Sequence, residues 1–238
     1  MRSVPLRNRR RRQAGETQTG RHPLSREATD PARGQRSLKV AVLGGTFNPI
    51  HRGHLLIART AADSLALDRV LFVPCSAPPH KDDGELLDGK HRLELVRLAI
   101  RGDPRFEVSR VELDREGPSY SVDTLRQLHR ERPGDQFFFI VGSDNFHDVG
   151  HWKEFAELAG LCEFLVIERP GCVLRLPPPS VPANRLHLLR YQVLRGPTLD
   201  VSSSEVRGLL HQRGDVSHWV PPEVCRHIRS RRLYQPDS

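Results

Sequence analysis

The strongest constraint on how this chain can fold is an alternation of short apolar, β-branched runs with longer stretches of helical spacing. Leu38–Leu43 (LKVAVL), Arg69–Val73 (RVLFV), Gln136–Val141 (QFFFIV) and Glu163–Glu168 (EFLVIE) are runs of the first kind. They are short and flanked by Gly, Pro or charged residues, as buried strands are. Phe106–Val111 reads as extended, and Arg185–Leu189 and Gln192–Leu194 as weaker strands. Gly53–Leu67, His91–Arg101 and Val122–Glu131 instead repeat apolar residues every three or four positions, and Ser203–Arg213 and Pro222–Arg232 close the chain as helices. Val173–Asn184, with Pro177-Pro178-Pro179, reads as a loop. Strands that alternate with helices require crossover connections, hence a mostly parallel sheet covered on both faces. The expected class is α/β, a doubly wound parallel sheet with a small helical part at the C-terminus. Ligands of such sheets bind beyond the carboxyl ends of the strands. The polar segments after Leu43, Val73, Val141 and Ile167 all fall at that edge.

A net charge of +8 would point to nucleic acid if it were spread over the fold. It is not. Residues 1–36 hold ten Arg against Glu16, Glu27 and Asp30, and the remaining chain is close to neutral. With almost no apolar residues, that segment buries too little surface to offset its ordering entropy. It is expected to be a disordered Arg-rich extension, with the folded domain spanning 37–238. A passive extension or a wrongly assigned start codon is preferred to a nucleic-acid-binding or transit segment. Neither a specific nucleic acid nor a membrane is an expected partner, since no apolar run reaches the roughly 18–20 residues that span a bilayer. The N-terminus lacks the apolar core of a secretory signal. Cys75, Cys162, Cys172 and Cys225 have neither disulfide density nor metal-ligand spacing. Reduced thiols in a cytoplasmic protein are the expectation.

The segment Gly44-Gly45-Thr46-Phe47-Asn48-Pro49-Ile50-His51-Arg52-Gly53-His54 lies between the first strand and the first helix. Gly44 and Gly45 allow close approach of a ligand to the backbone. The helix that begins near Gly53 directs N–H groups and a partial positive charge at the loop, which makes a phosphate site. His51 and His54, three apart, share a helix face and can donate to phosphate oxygens. No Walker loop and no dinucleotide G-x-G-x-x-G occurs. A zinc reading of the two histidines lacks companion ligands. A second segment, Val201-Ser202-Ser203-Ser204-Glu205-Val206-Arg207, has capping-box spacing between Ser202 and Glu205. Its hydroxyls and the Arg207 fork also suit an anion.

These two segments resemble signatures of the nucleotidyltransferase superfamily with the (H/T)-x-G-H motif. The first is similar to its phosphate-binding loop, and the second to its I-S-S-T-x-(I/V)-R helix start. Further stretches resemble the bacterial nicotinate-nucleotide adenylyltransferases. They are Gly117–Leu125 (like P-S-Y-T-x-x-T-L), Val141–Asp144 (like (I/V)-G-x-D), Trp152, and Glu168–Gly171 with its R-P-G element. In Pro74–Lys81, which follows the second strand, Lys81 is a flexible lysine at a strand's carboxyl end and suits a phosphate. The resemblance runs in order from about Leu38 to Leu233 and implies a Rossmann-like fold. It implies the joining of nicotinic acid mononucleotide and ATP to give deamido-NAD and pyrophosphate, by attack of the 5′-phosphate on the ATP α-phosphorus. The implied catalytic residues are His51, His54 and Arg207. The implied ATP-binding residues are Gly44, Gly45, Thr46, Phe47, Gly53, Gly142, Asp144, Ser202 and Ser203. The implied mononucleotide-binding residues are Lys81, Ser119, Tyr120, Ser121, Thr124, Trp152 and Arg169. Mg²⁺ is expected to arrive on ATP or leave with pyrophosphate, without protein ligands of its own.

The sequence departs from the family pattern in two places. Asn48 stands where Asp is commoner, which removes a negative charge near the phosphates, and Ser121 stands where Thr is commoner. Read alone, Trp152 is a packing residue and Lys81 a solvated loop lysine. The rival readings are another adenylyl- or cytidylyltransferase of the superfamily, such as a phosphopantetheine adenylyltransferase, a nucleic-acid binder working through residues 1–36, and a metal module at His51 and His54. The oligomeric state, a homodimer included, and the preference between nicotinate and nicotinamide mononucleotide stay open.

Overall fold

The computed structural model describes residues 36–77, 86–168, 172–197 and 199–235. Nearly all of the Arg-rich extension, together with Lys81 and Arg169, lies outside the described residues. Among the described residues, six strands, β1 (Lys39–Gly45), β2 (Arg69–Pro74), β3 (Phe106–Val108), β4 (Gln136–Gly142), β5 (Glu163–Ile167) and β6 (Tyr191–Leu194), form one sheet in the order β3-β2-β1-β4-β5-β6. Every neighbouring pair is parallel. The order reverses between β1 and β4, where Val42 lies beside Phe139. The carboxyl ends of these two strands flank the crevice in which a doubly wound sheet binds its ligand.

Among the described residues, seven α-helices follow one another: α1 (Arg52–Leu65), α2 (Gly89–Ile100), α3 (Ser121–Glu131), α4 (Ser143–Phe146), α5 (Phe155–Leu161), α6 (Ser203–His211) and α7 (Pro222–Arg231). The two-residue repeat of each strand sends its side chains alternately to two cores. Ala41, Leu43, Phe72, Phe138, Ile140 and Leu165 pack with buried residues of α1, α2, α6 and α7. Val40, Val42, Leu71, Phe139, Phe164 and Val166 pack with those of α3 and α5. Both faces are therefore covered, and the strands are apolar along most of their length because neither face meets water. The C-terminal helices are not a separate appendage. Val206, Leu210, Val224 and Ile228 share the core of α1 and α2, so α6 and α7 reach the same edge of the sheet as the loop after β1.

Two expectations are corrected. Arg185–Leu189 is not a strand: Ala183–Leu188 forms a 3₁₀ turn. Arg185 N–H bonds Pro182 O at 2.8 Å, and Leu189 N–H bonds Leu186 O at 3.1 Å. The edge of β5 is taken instead by Tyr191–Leu194, two to five residues further on. The extended run after Phe106 ends at Val108, because Arg110–Asp114 closes a turn with Asp114 N–H on Arg110 O at 2.9 Å. The segment α5 went unseen although it carries a helical signal, with Phe155, Leu158, Ala159 and Cys162 buried at positions i, i+3, i+4 and i+7.

Candidate active site

The loop 44–54 leaves β1 at the switch point and enters α1. Gly44 is exposed, and a Cβ there would meet only Phe139 Cζ, at 3.9 Å. Protein packing does not require glycine at this position, so the room it leaves is available to a ligand. Gly53 is different: a Cβ would lie 3.0 Å from His51 Nδ1 and 3.2 Å from Val201 Cγ1. A side chain there would press on both the His51 ring and Val201, which precedes α6. His51, extended and buried, is the N-cap of α1, and its backbone N–H donates to His54 Nδ1 at 3.2 Å. The two imidazoles stack with centroids 3.7 Å apart. Because Nδ1 of His54 accepts a bond, a neutral ring carries its proton on Nε2, which is a donor.

Three carbonyls of this loop are drawn back into the protein. Arg92 Nη1 from α2 donates to Thr46 O at 2.8 Å, Arg207 Nη1 from α6 to Asn48 O at 2.9 Å, and Ser203 Oγ to Pro49 O at 3.0 Å. Phe47 can offer a ligand its backbone but not its ring. Its ring is 1% exposed and lies 5.9 Å from that of Phe72 and 5.1 Å from that of His54, so it anchors the loop from below. Asn48 is wholly buried; its Oδ1 accepts from Tyr234 Oη at 2.9 Å and from Leu87 N–H at 3.3 Å. The amide is consumed in tying the loop to the C-terminal turn. Burial pushes the Tyr234 hydroxyl well above its ordinary pKa, which keeps it a donor.

In α6, Ser202 is the N-cap: Glu205 N–H donates to its Oγ at 3.2 Å, and Glu205 Oε2 accepts from Ser202 N–H at 2.7 Å. The hydrogen bonds from Ser202 hold the Glu205 carboxyl below the usual range. The capping reading of Ser202 is thus realised, and it competes with direct ligand contact. Arg207, 9% exposed, also reaches Ser204 Oγ at 3.4 Å.

Beyond β2 and β4 lies the other half of the edge. Ser119 N–H donates to Ala77 O at 3.1 Å, and Ser76 N–H to Ser119 Oγ at 3.1 Å, which fastens the turn before α3 to the end of β2. Tyr120 is the N-cap residue of α3 and Ser121 its first residue. Both are half-buried, and Lys153 Nζ sits 4.6 Å above the Tyr120 ring. Thr124 does not face this surface. It is 1% exposed, and its hydroxyl donates to Glu112 Oε1 at 2.6 Å. Its part is to hold the start of α3. Gly142 caps α4, which carries the exposed Asp144 and the buried Ser143. Trp152 is half-buried, its ring edge-on to Phe139 at 5.8 Å and Phe164 at 6.5 Å. It therefore has a packed side and an exposed side.

Sequence reasoning missed Arg92, Tyr234 and Glu112. Their partners lie 46, 186 and 12 residues away, and no local pattern records such pairings.

A glycine-bearing loop at the switch point of an all-parallel sheet, bonded to a serine- and arginine-bearing helix start, is the architecture of a nucleotide-binding α/β protein of the nucleotidyltransferase class. The cytidylyltransferase-like family model matches residues 42–209. A relative from Geobacter metallireducens, named "Probable nicotinate-nucleotide adenylyltransferase", is 43% identical over 215 residues, covering 84% of this chain and all of the relative. One of the same name from Thermus thermophilus is 43% identical over 199 residues, covering 83% and 100%. The chain belongs to the nicotinate-nucleotide adenylyltransferase family. The solved Plasmodium falciparum nicotinic acid mononucleotide adenylyltransferase, complexed with APC, superposes with a TM-score of 0.66 at 21% identity, covering 83% of this chain and 97% of that one. Its complex with NaAD gives the same TM-score at 22% identity. Both share the fold.

Proposed function

We propose that this chain joins nicotinic acid mononucleotide to the adenylyl group of ATP, releasing pyrophosphate and forming deamido-NAD. The observation that carries the reading is the loop 44–54 at the β1/β4 switch point, with its carbonyls at 46, 48 and 49 withdrawn and its histidine pair at the start of α1. The relatives' names extend it to the nicotinate acceptor and away from other members of the superfamily.

In this reading the triphosphate lies along Gly44, Gly45, Thr46 and Gly53, and His51 and His54 donate to its oxygens. Arg207, with Ser203, binds the departing pyrophosphate. The fork of Arg207 suits adjacent phosphate oxygens, and the bond to Asn48 O fixes its direction. Gly142 and Asp144 meet the adenosine. Ser119, Tyr120 and Ser121 face the mononucleotide, the exposed side of Trp152 stacks on its pyridine ring, and Lys81 and Arg169 complete that subsite. Ser202 and Thr124 serve by capping and bracing rather than by contact. Mg²⁺ carried on the nucleotide would spread the phosphate charge, with no protein ligands of its own. The chain works in the cytoplasm.

The nucleophile needs no general base. A phosphate monoester has a second pKa of about 6, so it is largely ionised at neutral pH. Alignment of the two substrates can supply about 7–11 kcal/mol of the barrier. A well-placed donor to the developing charge adds roughly 3–4 kcal/mol. The decisive test offers the purified chain ATP with nicotinic acid mononucleotide, nicotinamide mononucleotide or phosphopantetheine and measures pyrophosphate release. Release with nicotinic acid mononucleotide at a kcat/KM at least about tenfold above the others is expected, a difference of ~1.4 kcal/mol. Faster turnover of phosphopantetheine would refute the acceptor assignment.

A further inference from the structure

We propose that Arg92, a residue without an assigned role, positions the phosphate loop for the triphosphate of ATP, acting through the Thr46 carbonyl. The proposal rests on the reading of loop 44–54 as the ATP phosphate site.

Arg92 is 1% exposed and heads the fully buried side chains by volume. Its Nε donates to Leu87 O at 2.8 Å and its Nη1 to Thr46 O at 2.8 Å. Among the described residues, no carboxylate lies within ion-pair distance of it. A guanidinium taken out of water costs several kcal/mol unless hydrogen bonds and a counter-charge offset the loss. Two carbonyl dipoles supply part of that compensation. A polyanion bound on the far side of Thr46 supplies the counter-charge. The arginine is thus a fixed cation beneath the loop, and a bound triphosphate is stabilised by charge set in place before it arrives.

The geometry adds a second effect. Thr46 precedes Phe47, whose φ of 46° is left-handed and unfavourable for a bulky residue. The loop keeps this conformation because the Phe47 ring is packed below and the carbonyl of Thr46 is pulled inward. Arg207 and Ser203 do the same for the carbonyls of Asn48 and Pro49, but both come from α6. The Thr46 carbonyl is held from α2 instead. Without Arg92 that carbonyl would be able to swing outward, and its negative end would then oppose the phosphates.

ATP and adenosine differ only in the triphosphate, so the ratio of their dissociation constants isolates what the loop contributes. Calorimetry on the full chain, with Mg²⁺ present, compares wild type, Arg92→Gln and Arg92→Lys. In Arg92→Gln the ATP affinity is expected to fall about tenfold or more, the scale of a lost charge-assisted bond, with adenosine changed less than about twofold. Arg92→Lys keeps the charge but loses the fork, and is expected to recover part of the lost ratio. Parallel weakening of both ligands would mark a merely structural residue and overturn the proposal. So would an unchanged ratio in Arg92→Gln, or a lysine variant no better than the glutamine one. If Arg92→Gln does not fold, Arg92→Lys decides alone: a selective loss on ATP supports the proposal, and a parallel or absent loss overturns it. A wild-type chain that binds ATP no more tightly than adenosine would sink the reading of the site itself.

Discussion

At the scale of single residues, the site is a set of donors whose backs are already occupied. His54 takes the His51 N–H on one ring nitrogen, and Arg207 spends one arm on the Asn48 carbonyl. Each bond fixes an orientation before any ligand arrives, so less ordering entropy is lost on binding. His54→Ala and Arg207→Ala should therefore each lower kcat by about 10²-fold, the scale for one lost donor to developing charge. Purified variants that fold normally yet turn over at the wild-type rate would remove these residues from the phosphate site. Trp152 makes a different prediction, because its packed side rests on Phe139 and Phe164. Trp152→Phe keeps an aromatic face and Trp152→Ala does not. Only the alanine variant should raise the KM for the mononucleotide several-fold at an unchanged KM for ATP. An effect confined to ATP would overturn the stacking role.

At the scale of elements, α6 does two jobs with adjacent serines. Ser202 closes a capping box with Glu205, while Ser203 reaches back to the carbonyl of Pro49. Ser202→Ala should cost about 1 kcal/mol of stability, read as a shift of the urea midpoint, with ATP affinity little changed. Ser203→Ala should do the reverse. If Ser202→Ala left stability intact and weakened ATP instead, the cap would be incidental and the hydroxyl a ligand contact. This division was half legible in the sequence. The spacing of Ser202 and Glu205 shows the cap, because capping is a local event, but nothing local shows that Ser203 meets a residue 154 positions away. The same limit explains Thr124: its resemblance to a family motif is local, whereas the Glu112 carboxylate that takes its hydroxyl is not part of that motif. The parallel sheet covered on both faces followed from the alternation of β-branched runs and helices, which depends on local periodicity and on the rules of parallel crossovers, whereas the order of its strands has no local signal. Leu186, Leu188 and Leu189 misled because a short apolar run carries no period long enough to separate a strand from a 3₁₀ turn.

At the scale of the whole molecule, the sheet sits between two cores that contain titratable groups the chemistry does not use. Cys75 follows β2 and Cys162 precedes β5, and both thiols are buried. Burial pushes Cys75 from an ordinary 9.0 up to about 11, with Arg92 opposing the shift, and pushes Cys162 up to about 12. Both folded pKa values are raised, so their contribution is complete below pH 9.0, where the thiols are protonated folded or unfolded. Above it the unfolded chain releases protons that the folded chain retains, and stability falls until the folded values are reached. Each thiol should contribute a slope of about 1.4 kcal/mol per pH unit across that window. Tyr234, raised by burial, adds a loss in the same direction at higher pH. The acid side runs oppositely. Hydrogen bonds from Arg105 hold the Asp103 carboxyl below its usual range, so its contribution is present at neutral pH and disappears as the pH falls through the folded value. Urea unfolding at pH 8, 9.5 and 10.5 tests the alkaline limb, with Cys75→Ala/Cys162→Ala alongside. The double variant starts less stable, because two packed side chains are trimmed, but should lose less per pH unit than wild type. Parallel slopes would mean that the alkaline loss arises elsewhere, and that burial of these thiols contributes nothing to it.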